Sequence, residues 1–409
     1  MLNILWIFFF ISAFITALFK LVFLGDLLIF NQIMDALFAL SKTAFEISLG
    51  LTGVLALWLG IMRIAETSGF ILIITRWLSP LFCTLMPEVP ANHPALCAMV
   101  MNIPANALGL DNAATPLGIK AMQELQKLNP NKDTASNAQI LFLVINTSAV
   151  TLFPITIFTY RAQMGVAQPT DVFIPILLAT YVSTLAGLLA VASVQKINLL
   201  DKTIVSYLGG FTGLVASLVY YFYQLNQYDM LMQSALLSNF ILFTLIIVFI
   251  CHAAYKKIDA YQAFIEGAKE GFQTAIMIIP YLVAMLVAIG VFRASGCLDL
   301  LMNLLRYVIL QVGLDTQFID ATPTALMKPF SGSGARAMMV DTMQTFGADS
   351  FAGRLSSIVQ GSTETTFYVL SVYFGAVGIK NIRHALACGI IADFAGITAA
   401  IFIAYWFFA

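Results

Sequence analysis

Apolar residues along the chain gather into runs of near-spanning length, and polar residues collect between and within them in short groups. At about 20 residues per crossing, the runs predict membrane helices over Leu2–Leu24, Phe45–Met62, Gln139–Tyr160, Val172–Val194, Ile204–Tyr223, Ala235–Ala254, Phe272–Phe292, Leu355–Val377 and Ala385–Phe408. Two shorter runs, Phe70–Met86 and Leu298–Val312, each hold an arginine (Arg76, Arg306) and belong at the interface. Amphipathic pieces at Gln32–Thr43 and Asp259–Lys269 are expected to lie flat on the membrane. Strand-like alternation is absent. The pattern therefore predicts an all-α polytopic membrane protein and argues against a barrel.

Two stretches depart from the greasy background. Asn102–Gln126 reads N-I-P-A-N-A-L-G-L-D-N-A-A-T-P-L-G-I-K-A-M-Q-E-L-Q, and Met327–Gln344 contains K-P-F-S-G-S-G-A-R-A. Both sit in the middle of a half-chain between spanning runs. Polar, helix-breaking backbone at membrane depth survives only inside protein or beside a water-filled cavity. The pair is expected to form broken or re-entrant helical hairpins at a solute site.

The halves repeat weakly. Thr67-Ser68-Gly69 resembles Ala294-Ser295-Gly296, the segment Asn146–Phe153 aligns with Gln360–Phe367, and Ala186-Gly187 aligns with Ala395-Gly396. The expected organisation is a first half over 1–200, an extra helix and loop over 201–234, and a second half over 235–409. Ile204–Tyr223 has no counterpart, and one extra crossing would invert the second half. Lys196, Lys202, Lys256, Lys257 and Lys269 mark cytoplasmic loops, as do Lys380 and Arg383, whereas a lone Arg161 fits an outer loop. Arg293, Arg306 and Arg354 then fall outside, against the trend.

Composition narrows the class. Only 10% of the 409 residues are charged and 60% are hydrophobic, with a mean hydropathy of +0.91. A soluble chain carries about 25% charge, so this chain does not fold in water. A net charge of −1 gives no basis for nucleic-acid binding. The five cysteines stand singly in apolar runs and read as small hydrophobes. The apolar N-terminus lacks a basic start and a cleavage site, and reads as a retained first span.

The candidate chemistry lies in the polar groups. Asn102, Asn106, Asn112 and Thr115 surround Pro104, Gly109 and Pro116. They either replace water around a polar solute or satisfy the hairpin's own backbone, and both can hold. Ser331-Gly332-Ser333-Gly334 with Arg336 opens a helix, where N–H groups favour an anion; the bland version is a tight turn with Arg336 paired to Asp341 or Glu364. No Lys-Ser/Thr ending follows, which excludes a nucleotide P-loop. Glu364, beside Gln360 and Ser362, is a carboxylate inside a span: a coupling site, a solute ligand, or a fixed partner of Arg336 or Lys328. Asn146, Ser148 and Thr151 would form the matching wall. Asp393 is either a second coupling candidate or a packing hydrogen bonder. Lys120 and Glu124, four apart, are expected to pair along a helix. No metal spacing joins His93, His252 and His384 to other ligands, no catalytic set is present, and no cofactor is expected.

The first polar stretch resembles the spore maturation protein A family. The second, with D-S-F-A-G-R-L-S-S-I-V-Q-G-S-T-E-T-T-F-Y-V-L-S-V-Y-F-G-A-V-G-I-K and A-D-F-A-G, resembles the spore maturation protein B family. The chain is similar to a fusion of the two, and both carry the nucleoside recognition or Gate domain. That domain is shared distantly with concentrative nucleoside transporters and with the membrane part of ferrous-iron transporter B. Asp111 departs from the small residue expected in the A-type motif. The resemblance implies a multi-pass protein of the bacterial inner membrane with a transporter-like fold. The expected function is secondary transport of a small polar solute, anionic or neutral, bound between the hairpins at the midplane, with H+ or Na+ as the candidate coupling ion. The rival is a non-transporting factor in envelope or spore-cortex assembly. Lipids are partners throughout, and a homo-oligomer is compatible with either reading.

Overall fold

The structure, a computed structural model, describes residues 2–90, 93–107, 111–148 and 153–409, apart from the side chains of residues 2 and 111–113. The described residues form helices and connections with no strand. In chain order the helices are α1 (Leu2–Leu24), α2 (Ile29–Thr67), α3 (Phe70–Leu85), α4 (Pro94–Ala107), α5 (Asp111–Leu128), α6 (Asn137–Ser148), α7 (Ile155–Gln163), α8 (Phe173–Gln195), α9 (Lys202–Tyr223), α10 (Gln227–Tyr255), α11 (Ala260–Ala294), α12 (Cys297–Gln311), α13 (Thr322–Met327), α14 (Gly332–Phe346), α15 (Phe351–Ser362), α16 (Thr366–Gly375) and α17 (Ala385–Phe408). Seven of these, α1, α2, α8, α9, α10, α11 and α17, are long and apolar enough to cross a membrane.

Local chemistry sets the helix starts. Asp201, Asn226, Asp259, Ser331 and Ser350 each accept a backbone N–H from the first turn of the helix that follows. The repeated Ser-Gly pair also gains a reason. Gly69 and Gly296 adopt positive φ, 76° and 84°, and turn the chain from α2 into α3 and from α11 into α12.

Two sequence expectations need correction. Gln32–Thr43 and Asp259–Lys269 do not lie flat as separate pieces; each is the end of a long helix. α2 has 39 residues and α11 has 35, about 58 and 52 Å at 1.5 Å per residue. Both exceed a hydrocarbon core of about 30 Å. Packing holds the extensions in line: Ile29 and Ile33 bury against Ala13, Ala17 and Val291, and Ala263 and Gly267 bury against α2. Secondly, Gln139–Tyr160 and Leu355–Val377 are not continuous spans. The first is interrupted between α6 and α7, the second between α15 and α16.

Helices in matching places of the two halves pack on each other and run antiparallel. Along α2 and α11, Gly60 faces Phe264, Gly267 faces Leu59 and Arg63, Gly271 faces Ala56, and Gly290 faces Leu40. Along α8 and α17, Gln195 meets His384, Gly187 meets Ala392, and Ser183 meets both Ala392 and Gly396. The glycines permit this approach. A β-carbon on Gly271 would stand 2.6 Å from the Ala56 Cα, an overlap with backbone that no rotamer relieves. Gly271→Ala is therefore expected to destabilise the protein by roughly 1–3 kcal/mol. Gly213→Ala on α9, with nothing within 4 Å of the new methyl, should be neutral or gain about 0.5–1 kcal/mol from helix propensity. Thermal melting of the two purified variants tests the contrast.

Candidate functional site

The two expected hairpins are present as helical pairs. α4 and α5 form the first, and α13 and α14 form the second, with its turn at 328–331. Residues 108–110, including Gly109, and the side chains of Asp111 and Asn112 lie outside the described residues, as does Thr151.

Each hairpin is tied to the broken helix of its own half by the same hydrogen bond. The Phe153 N–H donates to the Ala107 carbonyl at 3.1 Å, and the Phe367 N–H donates to the Pro329 carbonyl at 3.1 Å. Phe153 and Phe367 are the last residues of the aligned repeat, so the repeat carries a shared structural task. A third bond joins the breaks themselves. The Glu364 N–H donates to the Thr147 carbonyl at 2.8 Å, near the last described residue of α6. The Thr363–Thr365 interruption thus faces the Asn146–Ser148 end of α6. Close helix contact supports the junction: the α-carbons of Gly187, Gly389 and Gly396 face Ser148, Thr366 and Thr363 respectively.

The first polar cluster gathers three of the expected residues. The Asn106 Nδ2 donates to the Asn146 Oδ1 at 2.6 Å, and the Asn146 Nδ2 donates to the Phe142 carbonyl at 2.8 Å. The Asn102 Nδ2 donates to the Ala114 carbonyl across the hairpin at 2.7 Å. Tyr373, from the second half, closes the network. Its hydroxyl donates to the Asn146 Oδ1 at 3.2 Å and accepts from Asn102 at 3.4 Å. The ring stacks on Phe142 and its hydroxyl fills the space beside Gly118. Asn102 therefore braces the hairpin's own backbone and Asn106 ties it to α6, although the Asn102 Oδ1 is buried without a partner among the described residues. Thr115 is half-buried beside them.

The second cluster lies at the α15–α16 break. Asp393, on α17 and 2% exposed, accepts from the Thr366 hydroxyl at 2.7 Å through Oδ2. Its Oδ1 has no partner among the described residues, nor do the Gln360 Oε1, Thr363 Oγ1 and Thr365 Oγ1. Ser362 and Ser148 turn inward on their own helices, donating to the Val359 and Ile145 carbonyls. This leaves neither hydroxyl proton for a solute.

The charged residues pair differently from expectation. Asp341 does not meet Arg336; Arg293 takes it in a two-pronged contact from α11. Arg336 is half-buried, with its Nε donating back to the Gly332 carbonyl at 3.3 Å. Ser331 caps α14 by accepting from the Gly334 N–H at 3.0 Å, and its hydroxyl lies 3.3 Å from that of Ser333. Glu364 is half-buried. Lys120 does not pair with Glu124, which Lys127 contacts at 2.6 Å instead.

Arg161 is not a loop charge facing water. It is wholly buried and pairs with Asp171 at 2.8 Å and Asp349 at 3.5 Å, while Arg354 reaches Asp171 at 2.8 Å. This ionic knot fastens the α7–α8 connection to the start of α15. At the opposite end the α5–α6 connection pairs with the α16–α17 connection. There Lys380 and Asn381 donate backbone N–H groups to the Asp133 carbonyl, and Arg383 donates to Ala135 and Asn137. His384 in that connection is held below its ordinary pKa by burial and by the Arg383 charge. Sequence reasoning missed Tyr373, Thr363, Thr366 and the ionic knot. The threonines had a signal in the Gln360–Thr366 motif; the others depend on partners distant in the chain.

With this geometry in view, the comparisons are specific. A family model described as nucleoside recognition, Gate, matches residues 48–164 and 275–380. Spore maturation protein B of Bacillus subtilis (strain 168) is 50% identical over 152 residues, covering 37% of this chain and 84% of that protein. Spore maturation protein A of the same organism is 40% identical over 189 residues, covering 46% of this chain and 93% of that protein. No solved structure matches.

The ionic knot yields a direct expectation. Asp171→Asn removes the carboxylate shared by two arginines, one of them wholly buried, and should cost roughly 3–5 kcal/mol. Asp349, with its side chain 55% exposed, should cost less than about 1 kcal/mol when changed to Asn. Melting temperatures of the purified proteins in detergent distinguish the two.

Proposed function

The chain belongs to the nucleoside recognition (Gate) family, and from that premise we propose that it is a permease of the bacterial inner membrane, not an enzyme. One observation carries the reading: two interrupted helices, one per half, meet at their interruptions, and each is tied to its own hairpin by the same hydrogen bond. Transporters bind solutes where discontinuous helices meet at mid-membrane, because freed backbone groups and helix ends supply ligands there. The solute is small and polar. Arg336 and the N-terminal turn of α14 receive its anionic group, and Glu364 accepts from its donors. Gln360 and Thr115 complete the wall.

Two related units, 1–200 and 235–409, surround this site, and 201–234 connects them. The antiparallel run of matching helices supports opposite orientations in the membrane. So does charge: Lys127, Lys132, Lys196, Lys202, Lys380 and Arg383 would all lie at the cytoplasmic end.

A second reading, a non-transporting assembly factor, draws on the names of the two relatives, which speak of spore maturation. A scaffold has no use for two interruptions joined to each other and to their hairpins by hydrogen bonds, and transport is preferred on that ground.

Two experiments decide. A thermal-shift panel of nucleosides, amino acids, dicarboxylates and lipid phosphates identifies a stabilising solute. Glu364→Gln should then weaken its binding about 10- to 100-fold with little change in melting temperature, because the side chain is half-buried and Gln keeps its size and hydrogen-bonding capacity. Unaltered binding in this variant would remove Glu364 from the site; a panel without any binder favours the scaffold. For orientation, single cysteines at Gln168 and Asn381, both exposed, should be labelled from outside and inside respectively. Labelling of both from one face would end the inverted arrangement.

A further inference from the structure

The first turn of α14 gathers donors. The helix runs for 15 residues from Gly332, and the leading N–H groups of a helix have no intrahelical acceptor. Ser331 caps one of them, that of Gly334, at 3.0 Å. The N–H groups of Gly332 and Ser333 remain. Both residues are half-buried, as is Arg336 one turn on, whereas Ser331, Gly334 and Ala335 are buried. Gly332, Ser333 and Arg336 therefore share the accessible face of this turn. Arg336 folds back along it. Its Nε donates to the Gly332 carbonyl at 3.3 Å, which uses one of the five guanidinium donors.

A side chain from another element is aimed at the same spot. Thr365, in the α15–α16 interruption, is 2% exposed, and its hydroxyl has no partner among the described residues. That hydroxyl lies 2.9 Å from where a β-carbon on Gly332 would stand. A buried hydroxyl without a partner is costly, and this one has a proton to donate to an occupant of the helix terminus. Backbone N–H, guanidinium and hydroxyl are all donors. The first turn of α14 holds no acidic residue to receive them.

The first half indicates what such a terminus takes. α5 and α14 are the second helices of their hairpins and start at Asp111 and Gly332. The pair Met-Gln follows at the same spacing from each start, as Met122-Gln123 and Met343-Gln344. The chain thus opens α5 with a carboxylate-bearing residue and opens α14 with none. Negative charge is the favoured occupant of a helix N-terminus. Charge also narrows the class. The turn brings one cation, Arg336, which matches a carboxylate. A phosphate ester carries about −1.5 to −2 at neutral pH, and the surplus would stay uncompensated. A guanidinium also grips a planar carboxylate through two parallel hydrogen bonds.

We propose that the N-terminal turn of α14 is a carboxylate subsite, built from the N–H groups of Gly332 and Ser333, the Arg336 guanidinium and the Thr365 hydroxyl. That the carboxylate belongs to a transported solute rests on the permease reading; the subsite itself does not. A carboxylate held there bridges the second hairpin and the interruption beside it, which are already joined by the bond from Phe367 to Pro329.

The test uses the full chain, purified in detergent, and acetate as the probe. Melting temperature is followed against potassium acetate, with potassium chloride and potassium phosphate at equal ionic strength and pH as references. A saturable rise of about 3 °C in acetate alone is expected. It should vanish in Arg336→Gln and in Thr365→Val, and persist in Gly213→Ala on the far helix α9. Should Arg336→Gln fail to fold, Thr365→Val carries the test. Equal melting in acetate and chloride overturns the subsite, as does an acetate response that survives both substitutions. A saturable phosphate response of equal size, lost in the same variants, overturns the carboxylate assignment. An acetate response that depends on Arg336 and Thr365, in proteoliposomes that take up no amino acid or dicarboxylate, leaves the subsite standing and removes the permease.

Discussion

A peptide N–H at mid-membrane has no water to turn to, and leaving it alone costs several kcal/mol. The core of this protein is arranged around that constraint. Two helices are interrupted, and the donors released are placed on carbonyls that other interruptions release. Phe153 on Ala107 and Phe367 on Pro329 join each break to its own hairpin, and Glu364 on Thr147 joins the halves. Remove one member and a partner elsewhere is orphaned. The glycines of α8 and α17 follow from this, because the breaks reach each other only if flanking helices come within backbone distance.

The same requirement explains the division of polar residues. Asn102, Asn106, Asn146 and Tyr373 are engaged with one another and with main-chain carbonyls, so they hold the first hairpin in shape. The second interruption is the opposite case. There the Gln360 Oε1 and Thr365 Oγ1 lie buried without a hydrogen-bond partner among the described residues. One side of the junction is finished by the protein itself, and the other asks for something to bind.

The uninterrupted spans were legible because hydropathy over twenty residues is a strong signal. The interruptions were not, since averaging hides a short Thr-Glu-Thr inside apolar flanks. The hairpins were visible through Pro and Gly, which mark a broken backbone directly. The continuous lengths of α2 and α11 were missed because an amphipathic stretch has the same period whether it lies on a membrane or prolongs a helix. Arg161 was misread for a different reason. Charge after an apolar run resembles a loop, and Asp349 lies 188 residues along the chain. The family resemblance was readable because the polar motifs are long, whereas Tyr373 in an apolar helix carries no mark of its partner.

The buried Arg161 has a consequence for biosynthesis. The first half leaves the ribosome and enters the membrane with Arg161 and Asp171 in place, but Asp349 and Arg354 belong to a segment translated much later. The Thr147 carbonyl likewise waits for Glu364, and the floor beneath Gly118 waits for Tyr373. Until then the early helices carry polar groups at membrane depth that only the late helices can cover. The nascent first half is thus a client for whatever shields polar surface during insertion until α15 and α16 have been made.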